Sequence, residues 1–196
     1  MAGPTGDAAL GKDQGGEDPD GTLTPMVAQA WFLVSAALLV VSGIAKMADP
    51  VPTMGALRAA RLPHRKWTAV AMGGLEVAVA GYAIVFGGVA VLGVGALYLA
   101  FTVFVVVALR LGLPLSSCGC FGRADTPPTW LHVAYNSAAT LAAAVAATEG
   151  WGGVRGVWQT DAVGAIVYLG LAGLGVFASY LLLSELPPLL SLSRSG

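Results

Sequence analysis

The two cysteines of the chain, Cys118 and Cys120, are separated only by Gly119 and are its best candidates for covalent chemistry. A disulfide needs Cα atoms roughly 4.4–6.8 Å apart, and residues two positions apart reach this only where the backbone bends. Gly119 allows the required backbone angles because it has no Cβ atom. The resulting small ring is strained, and strained, exposed disulfides are the more oxidising ones. The pattern therefore favours reversible dithiol–disulfide exchange over a structural crosslink.

A metal site and a pair of inert thiols are the two alternatives for these cysteines. A closed zinc site takes four ligands, and only His64 and His132 offer imidazoles that could join the thiols. A histidine near a membrane surface is more often an anchor with an apolar body and a polar tip than a metal ligand. No acidic cluster in the sequence suits calcium or magnesium. We predict no resident metal.

Glu76 is an acid in the middle of a long apolar segment. A charged side chain at the centre of a bilayer costs about 2.5–3.5 kcal/mol on insertion scales, so such an acid is expected to face a partner or a cavity. Lys46 and Asn136 lie on other apolar segments, at positions from which they could approach it. A protonated carboxyl that links two helices and a carboxylate that relays protons or contacts a membrane quinone are both compatible with this position. In either role we expect Glu76→Gln to leave the helices intact.

The composition of the chain requires an apolar environment for most of its residues. Of 196 residues, 56% are hydrophobic and 11% are charged, whereas soluble domains carry roughly a quarter charged residues. The mean hydropathy is +0.76. These values predict an integral membrane protein with the lipid bilayer as its surroundings. A net charge of −1 provides no basic field for nucleic acid, so we expect no nucleic-acid partner.

Five apolar segments have the roughly 17–25 residues that a helix needs to cross the hydrocarbon core. They must be helical because backbone groups in lipid have to pair within their own segment. The fourth is the least hydrophobic. Their predicted bounds are 26–45, 67–86, 88–109, 130–147 and 162–183. We predict an all-α membrane protein: a four-helix transmembrane bundle with a fifth, C-terminal transmembrane helix.

Small residues four positions apart predict where these helices meet, because they let backbones approach closely in lipid. Glycine and alanine are also common in any membrane helix, so composition alone can produce the pattern. The candidate sets are Gly74 with Ala78, Ala138 with Ala142 and Ala146, and Gly175 with Ser179.

Three regions follow from these patterns. Residues 1–25 are rich in glycine, aspartate and proline and are expected to be a disordered acidic tail. Residues 26–147 form the four-helix membrane domain, with the Cys-Gly-Cys loop at 116–128. Residues 148–196 supply a loop, the fifth helix and a short tail.

The connection at 46–66 bears on the orientation of the chain in the membrane. It is the most basic part of the sequence, with two lysines and three arginines, and the positive-inside rule places such a loop in the cytoplasm. Counting helices puts 116–128 on the same face. Disulfide formation favours the opposite side of the membrane, so the residues leave the orientation open. Met54 and Leu57, between the prolines of the connection, also predict a short interfacial helix that reaches Ala60 and Arg61.

Four short motifs follow one another along the chain. They are Ser42-Gly43-Ile44-Ala45-Lys46 with Asp49-Pro50, then Leu75-Glu76, then Cys118-Gly119-Cys120-Phe121-Gly122, then Asn136. In this order they resemble the methylamine-utilisation MauE-type membrane proteins, which are related to DoxX-type redox-associated membrane proteins. The resemblance covers about residues 26–147. It implies a four-helix bundle in the bacterial cell membrane, with Cys118 and Cys120 as the redox pair. The supporting positions that it implies are Lys46, Asp49, Glu76 and Asn136.

The resemblance also implies a function. MauE-type proteins are associated with maturation of methylamine dehydrogenase, through disulfide formation in its cysteine-rich small subunit, alongside a thioredoxin-like partner. By resemblance, then, we expect a multi-pass thiol-disulfide oxidoreductase in methylamine metabolism. Its CxC pair would exchange with a thioredoxin-like or cysteine-rich redox protein and pass electrons to a membrane quinone. The alternative is a non-catalytic membrane subunit or assembly factor of a redox complex, in which the cysteines bind a metal or have no reaction of their own.

Overall fold

The computed structural model describes residues 19–113, 128–160 and 162–184, and within these ranges the chain folds into helices joined by short turns. The described part contains seven helices and no strand, in agreement with the predicted all-α class. Their bounds are α1 Pro19–Ala48, α2 Val51–Ala59, α3 Lys66–Phe86, α4 Ala90–Arg110, α5 Trp130–Thr148, α6 Gly153–Thr160 and α7 Ala162–Ser184.

Four helices of the described ranges are long and apolar enough to cross a membrane. They are Val27–Ala48 of α1, the whole of α3 and α4, and Ala162–Leu183 of α7. The fourth predicted segment also forms a helix, α5, but it is not one of these four. Polar side chains on α5, among them His132, Asn136 and Thr140, lower its hydropathy. Four apolar helices are thus established, and a count of five crossings stays a prediction.

Four helices, α1, α3, α4 and α5, form a closed ring in which each packs against two of the others. Gly43 of α1 approaches Val77, and Gly73 of α3 approaches Met47, so these two helices run antiparallel. Phe32, Leu33 and Leu38 of α1 are buried at the centre of the ring, while large apolar side chains such as Leu99 of α4 are exposed on its outside. An exterior of this kind is stable against lipid tails rather than water.

Outside the ring, α7 packs against α1, and α6 packs against α3 and α7. The sequence did not predict α6, because a helix of eight residues with few apolar ones leaves no long hydrophobic run. The turn before it is fixed by Trp151, whose indole Nε1 donates a hydrogen bond of 3.1 Å to the Ala83 carbonyl oxygen. Gly87 and Gly153 flank this contact with positive φ angles of 68° and 78°.

Two helix bounds differ from those that the sequence predicted. Helix α1 begins at Pro19 rather than at Met26, so residues 19–25 of the expected tail are helical. Proline suits a helix start because its missing N–H would have no partner there. A short helix does occur in the 46–66 connection, but α2 ends at Ala59, before the expected Ala60 and Arg61. Arg61 has a φ of 58°, which no α-helix continues.

The predicted small-residue contacts are partly wrong. A Cβ atom at Gly74 would meet nothing within 4 Å, and the neighbouring Gly73 makes the contact with α1 instead. Gly175 does lie against another helix, since a Cβ atom there would be 2.6 Å from a methyl group of Val34 on α1. Ala142 and Ala146 are buried, as expected for positions where α5 meets its neighbours.

Candidate functional site

A close approach of two helix backbones brings the first candidate residues together. A Cβ atom on Gly43 would lie 2.5 Å from the carbonyl oxygen of Gly73, and one on Gly73 would lie 2.5 Å from the carbonyl oxygen of Gly43. Only glycine permits this spacing, because any side chain at either position would clash with backbone. The contact holds α1 and α3 together one turn away from Lys46 and Glu76.

Lys46 and Glu76 form a buried ion pair across this contact. The Lys46 ammonium donates a hydrogen bond of 2.8 Å to Glu76 Oε2 and one of 2.5 Å to Ser42 Oγ. The Ser42 hydroxyl lies 3.4 Å from the same carboxylate oxygen. The lysine and glutamate side chains are 3% and 1% exposed. We call Ser42, Lys46 and Glu76 the charged cluster.

The two opposite charges of the charged cluster differ in their surroundings. The Phe101 ring lies 5.5 Å from the Lys46 ammonium, at a distance that allows a cation–π interaction. Glu76 Oε1 is buried and finds no hydrogen-bond partner among the described residues. Removing one member of a buried ion pair commonly costs about 3–5 kcal/mol, because the other charge is left without a partner. The expectation that Glu76→Gln leaves the helices undisturbed is therefore replaced by one of substantial destabilisation.

A small cavity lies beside the charged cluster. Leucine and aromatic side chains form most of its wall, and we call it the polar cavity after the polar groups that interrupt them. Its volume is about 20 Å³, and Ser42, Tyr98, His132 and Asn136 contribute to its wall. This volume suits one water molecule, which needs roughly 10–15 Å³ and two to four polar partners. His132 Nε2 and Asn136 Nδ2 are buried without a partner in the described part of the chain, so both are suitable partners for such a water.

His132 is held in place by the start of its own helix. Thr129 precedes α5 and forms a capping box with it, in which the Thr129 backbone N–H donates a hydrogen bond of 3.3 Å to His132 Nδ1. A ring nitrogen that accepts a hydrogen bond carries no proton in the neutral imidazole, so the proton resides on Nε2. Sequence reasoning considered His132 only as an anchor or a metal ligand, and missed both its capping role and its position at the cavity.

The structure brings together some of the residues singled out from the sequence and separates others. Lys46 and Glu76 are in direct contact, and Asn136 lines the cavity that Ser42 also lines. Asp49 stands apart, since its carboxylate accepts a hydrogen bond of 3.1 Å from the backbone N–H of Val51 at the start of α2. Ser42 was noted only as part of a motif, although its position four residues before Lys46 places it on the same helix face.

Cys118 and Cys120 lie outside the described residues, but the chain on both sides of them is placed. The Arg110 guanidinium lies 5.7 Å from the centre of the Trp130 ring, so the end of α4 adjoins the start of α5. Leu113 packs against Ala56 of α2 and Ala108 of α4. The segment with the cysteines therefore leaves and re-enters the ring at the end where α2 lies.

The described residues offer no ready metal site. Within them, no three His, Cys, Asp or Glu side chains are grouped as metal ligands would be. The metal alternative thus depends on the cysteines, which this part of the chain does not include.

The order of these residues along the chain can be compared with known families. A family model described as "Methylamine utilisation protein MauE" matches residues 24–149, well over half of the chain. The chain belongs to the MauE family. The matched region begins within the first turns of α1 and ends one residue after α5. It therefore contains the ring except for the start of α1, together with the charged cluster, but neither α6 nor α7. No curated protein and no solved structure matches the chain.

Membership of the MauE family points to a role in methylamine utilisation. Together with the four apolar helices it also supports a membrane protein.

Proposed function

We propose that this MauE protein is a membrane thiol-disulfide oxidoreductase that introduces disulfides into a partner. The partner is a thioredoxin-like or cysteine-rich redox protein, and the process is maturation of an enzyme of the methylamine dehydrogenase type. Cys118 and Cys120 are the reactive pair. The observation that carries the proposal is the position of the charged cluster, which lies in the half of the ring from which the cysteine segment emerges.

The reaction balances with a two-electron acceptor. The Cys118–Cys120 disulfide takes two electrons and two protons from a partner dithiol, which leaves the partner oxidised and this protein as the dithiol. A membrane quinone then takes the two electrons and two protons and leaves as the quinol, which restores the disulfide. Thiolates are the attacking species in such exchange, so each cycle requires groups that accept and release protons.

The charged cluster and the polar cavity supply such groups. Glu76 has one carboxylate oxygen without a partner in the described part of the chain. Ser42, which lies beside the other oxygen, shares with His132 and Asn136 a cavity large enough for one water. A carboxylate, a hydroxyl and an imidazole in sequence form a short route for protons through the ring. Asp49 is not part of this proton route. Its carboxylate accepts a hydrogen bond from the Val51 backbone N–H and so holds the turn between α1 and α2.

Alkylation of thiols in membranes tests the exchange reaction. In wild-type protein, blocking free thiols before and after reduction should reveal two additional reactive thiols on one peptide. Mixing with a reduced thioredoxin-like protein should convert the oxidised form to the reduced form. Cys120→Ser has no disulfide of its own, so it is mixed with the oxidised partner instead: the Cys118 thiolate should attack the partner disulfide, release one partner thiolate and trap a mixed disulfide. Cysteines that stay reduced under every oxidant and bind zinc tightly would favour the assembly-factor alternative.

We also propose that the protein crosses the bacterial cell membrane five times, with α5 as the fourth crossing. The polar side chains of α5 turn inward to the cavity, and its outward Leu141 is 67% exposed. Single cysteines at Leu111 and Glu149, in a Cys118→Ser/Cys120→Ser background, should react with a membrane-impermeant reagent from opposite sides. Labelling of both from one side would eliminate α5 as a crossing.

A further inference from the structure

A second cavity lies on the other side of Lys46, between α2, α3 and α4. Its volume is about 220 Å³. It is separate from the polar cavity, although Phe101 contributes to both walls. Residues that define it include Lys46, Leu57, Met72, Ala100, Phe101 and Phe104. We call it the aromatic pocket.

The size of the aromatic pocket suits a flat ring system. An apolar cavity of about 150 Å³ is known to hold one benzene ring. At 220 Å³ the pocket has room for one substituted ring or two fused rings. Phe101 and Phe104 provide faces and edges against which an aromatic or quinonoid ring packs favourably.

The polarity of the aromatic pocket is uneven. Its wall is apolar apart from Lys46 and the hydroxyl of Thr53. Ala100 and Leu62, which also contribute to the wall, are exposed on the outside of the protein. A ligand with a polar ring and an apolar tail can therefore place its ring beside Lys46 and leave its tail among the lipids.

We propose that the aromatic pocket binds the head group of a membrane quinone, with one ring oxygen directed to Lys46. A saturated acyl chain would fill the space equally well but would gain nothing from an ammonium group. A quinone gains more, because its oxygens become more negative as it accepts electrons and a nearby fixed cation stabilises that charge. Quinone plus two electrons and two protons gives quinol. Reduction of the bound quinone by the Cys118–Cys120 dithiol rests on the proposed function, whereas quinone binding itself does not.

Binding is measured on the full-length protein with Cys118→Ser/Cys120→Ser, so that thiol chemistry cannot contribute. The probes are decylubiquinone, which has one ring, and menadione, which has two. They are titrated by calorimetry in detergent micelles, with hexadecane as an uncharged saturated-chain competitor. We expect saturable binding of at least one quinone. Ala100→Phe fills the pocket and should raise the Kd at least tenfold, or about 1.4 kcal/mol. Ala96→Phe, one turn earlier on the exposed face of α4 and outside the pocket, should change it less than twofold.

Equal effects of the two phenylalanine variants, or displacement of the quinones by equimolar hexadecane, would overturn the proposal. An azido-quinone that crosslinks to wild-type protein gives a measurement free of any folding defect in the variants. Its label should fall on peptides of α2, α3 or α4, and a label confined to α5 or α7 would also overturn the proposal. Quinone binding without any thiol exchange would refute the proposed function and leave the pocket assignment standing.

Discussion

The energetic coupling between Lys46 and Glu76 offers the sharpest test of the charged cluster. Lys46→Met leaves a buried carboxylate without its cation, and Glu76→Gln leaves a buried ammonium without its anion. The Ser42 hydroxyl stays beside both, but it carries no charge. Each single change should lower the free energy of unfolding by about 3–5 kcal/mol. The double variant contains no buried charge, and apolar or neutral replacements of a buried pair are often nearly neutral.

The two single changes should therefore be strongly non-additive. Added together they amount to about 6–10 kcal/mol, whereas the double variant should lose no more than about 2 kcal/mol. The difference is a coupling energy of at least ~4 kcal/mol, above the ~0.5–3 kcal/mol found for most contacting residues. The coupling energy of this ion pair should exceed that range because both side chains are almost fully buried.

Reversible unfolding in mixed micelles gives the four free energies of this cycle. Lys66→Met is the matched control, because Lys66 is exposed at the start of α3 and should change stability by less than about 0.5 kcal/mol. Additive single changes, or single changes no larger than that of the control, would show that Lys46 and Glu76 are not paired in the membrane. The double variant also separates fold from function, since it should remain folded and still lose quinone-dependent reoxidation of the thiols.

Three further outcomes follow from the packing and are checked by the same unfolding measurement. Gly73→Ala should cost about 1–3 kcal/mol by forcing α1 and α3 apart, whereas Gly74→Ala, with open space around it, should be neutral or stabilise α3 by up to ~1 kcal/mol. Gly87→Ala should be more destabilising than Gly88→Ala, because both have positive φ angles but only a Cβ atom at Gly87 would clash with the Trp151 carbonyl oxygen; equal losses would mean that backbone strain alone causes the destabilisation. Asn136→Leu should leave stability unchanged or slightly higher, since it removes a buried amide nitrogen without a partner, and should slow thiol reoxidation; an unchanged rate would exclude the polar cavity from the proton route.

The sequence was sufficient to predict the long apolar helices, but neither the short α6 nor how each helix is rotated about its axis. Long apolar runs predicted α3, α4, α5 and α7 to within a few residues, because only helices satisfy backbone groups in lipid. Periodicity could not decide between Gly73 and Gly74 as the contact with α1, since consecutive residues point about 100° apart around a helix. That choice depends on the partner helix, whose Gly43 is the matching half of the contact.

For the candidate site too, the sequence predicted which residues need a partner but not which residues are in contact. The cost of an acid in lipid required a partner for Glu76, and the sequence narrowed the choice to Lys46 or Asn136. Only the three-dimensional packing selects Lys46 and assigns Asn136 to the neighbouring cavity. The spacing of Ser42 from Lys46 was a usable signal that sequence reasoning missed, whereas the aromatic pocket had none, because it arises where several helices meet.

The ion pair also has a consequence for how the chain enters the membrane during synthesis. Helix α1 leaves the ribosome with a cation near its end, and α3 follows with an anion near its middle. Either helix alone carries an insertion penalty of up to about 2.5–3.5 kcal/mol for its charge, and that penalty is relieved only when the other helix arrives. The two should therefore move from the translocation machinery into lipid as a hairpin, with the Gly43–Gly73 contact already closed. A ribosome stalled after α1 but before α3 would then hold a helix that has not yet committed to the bilayer.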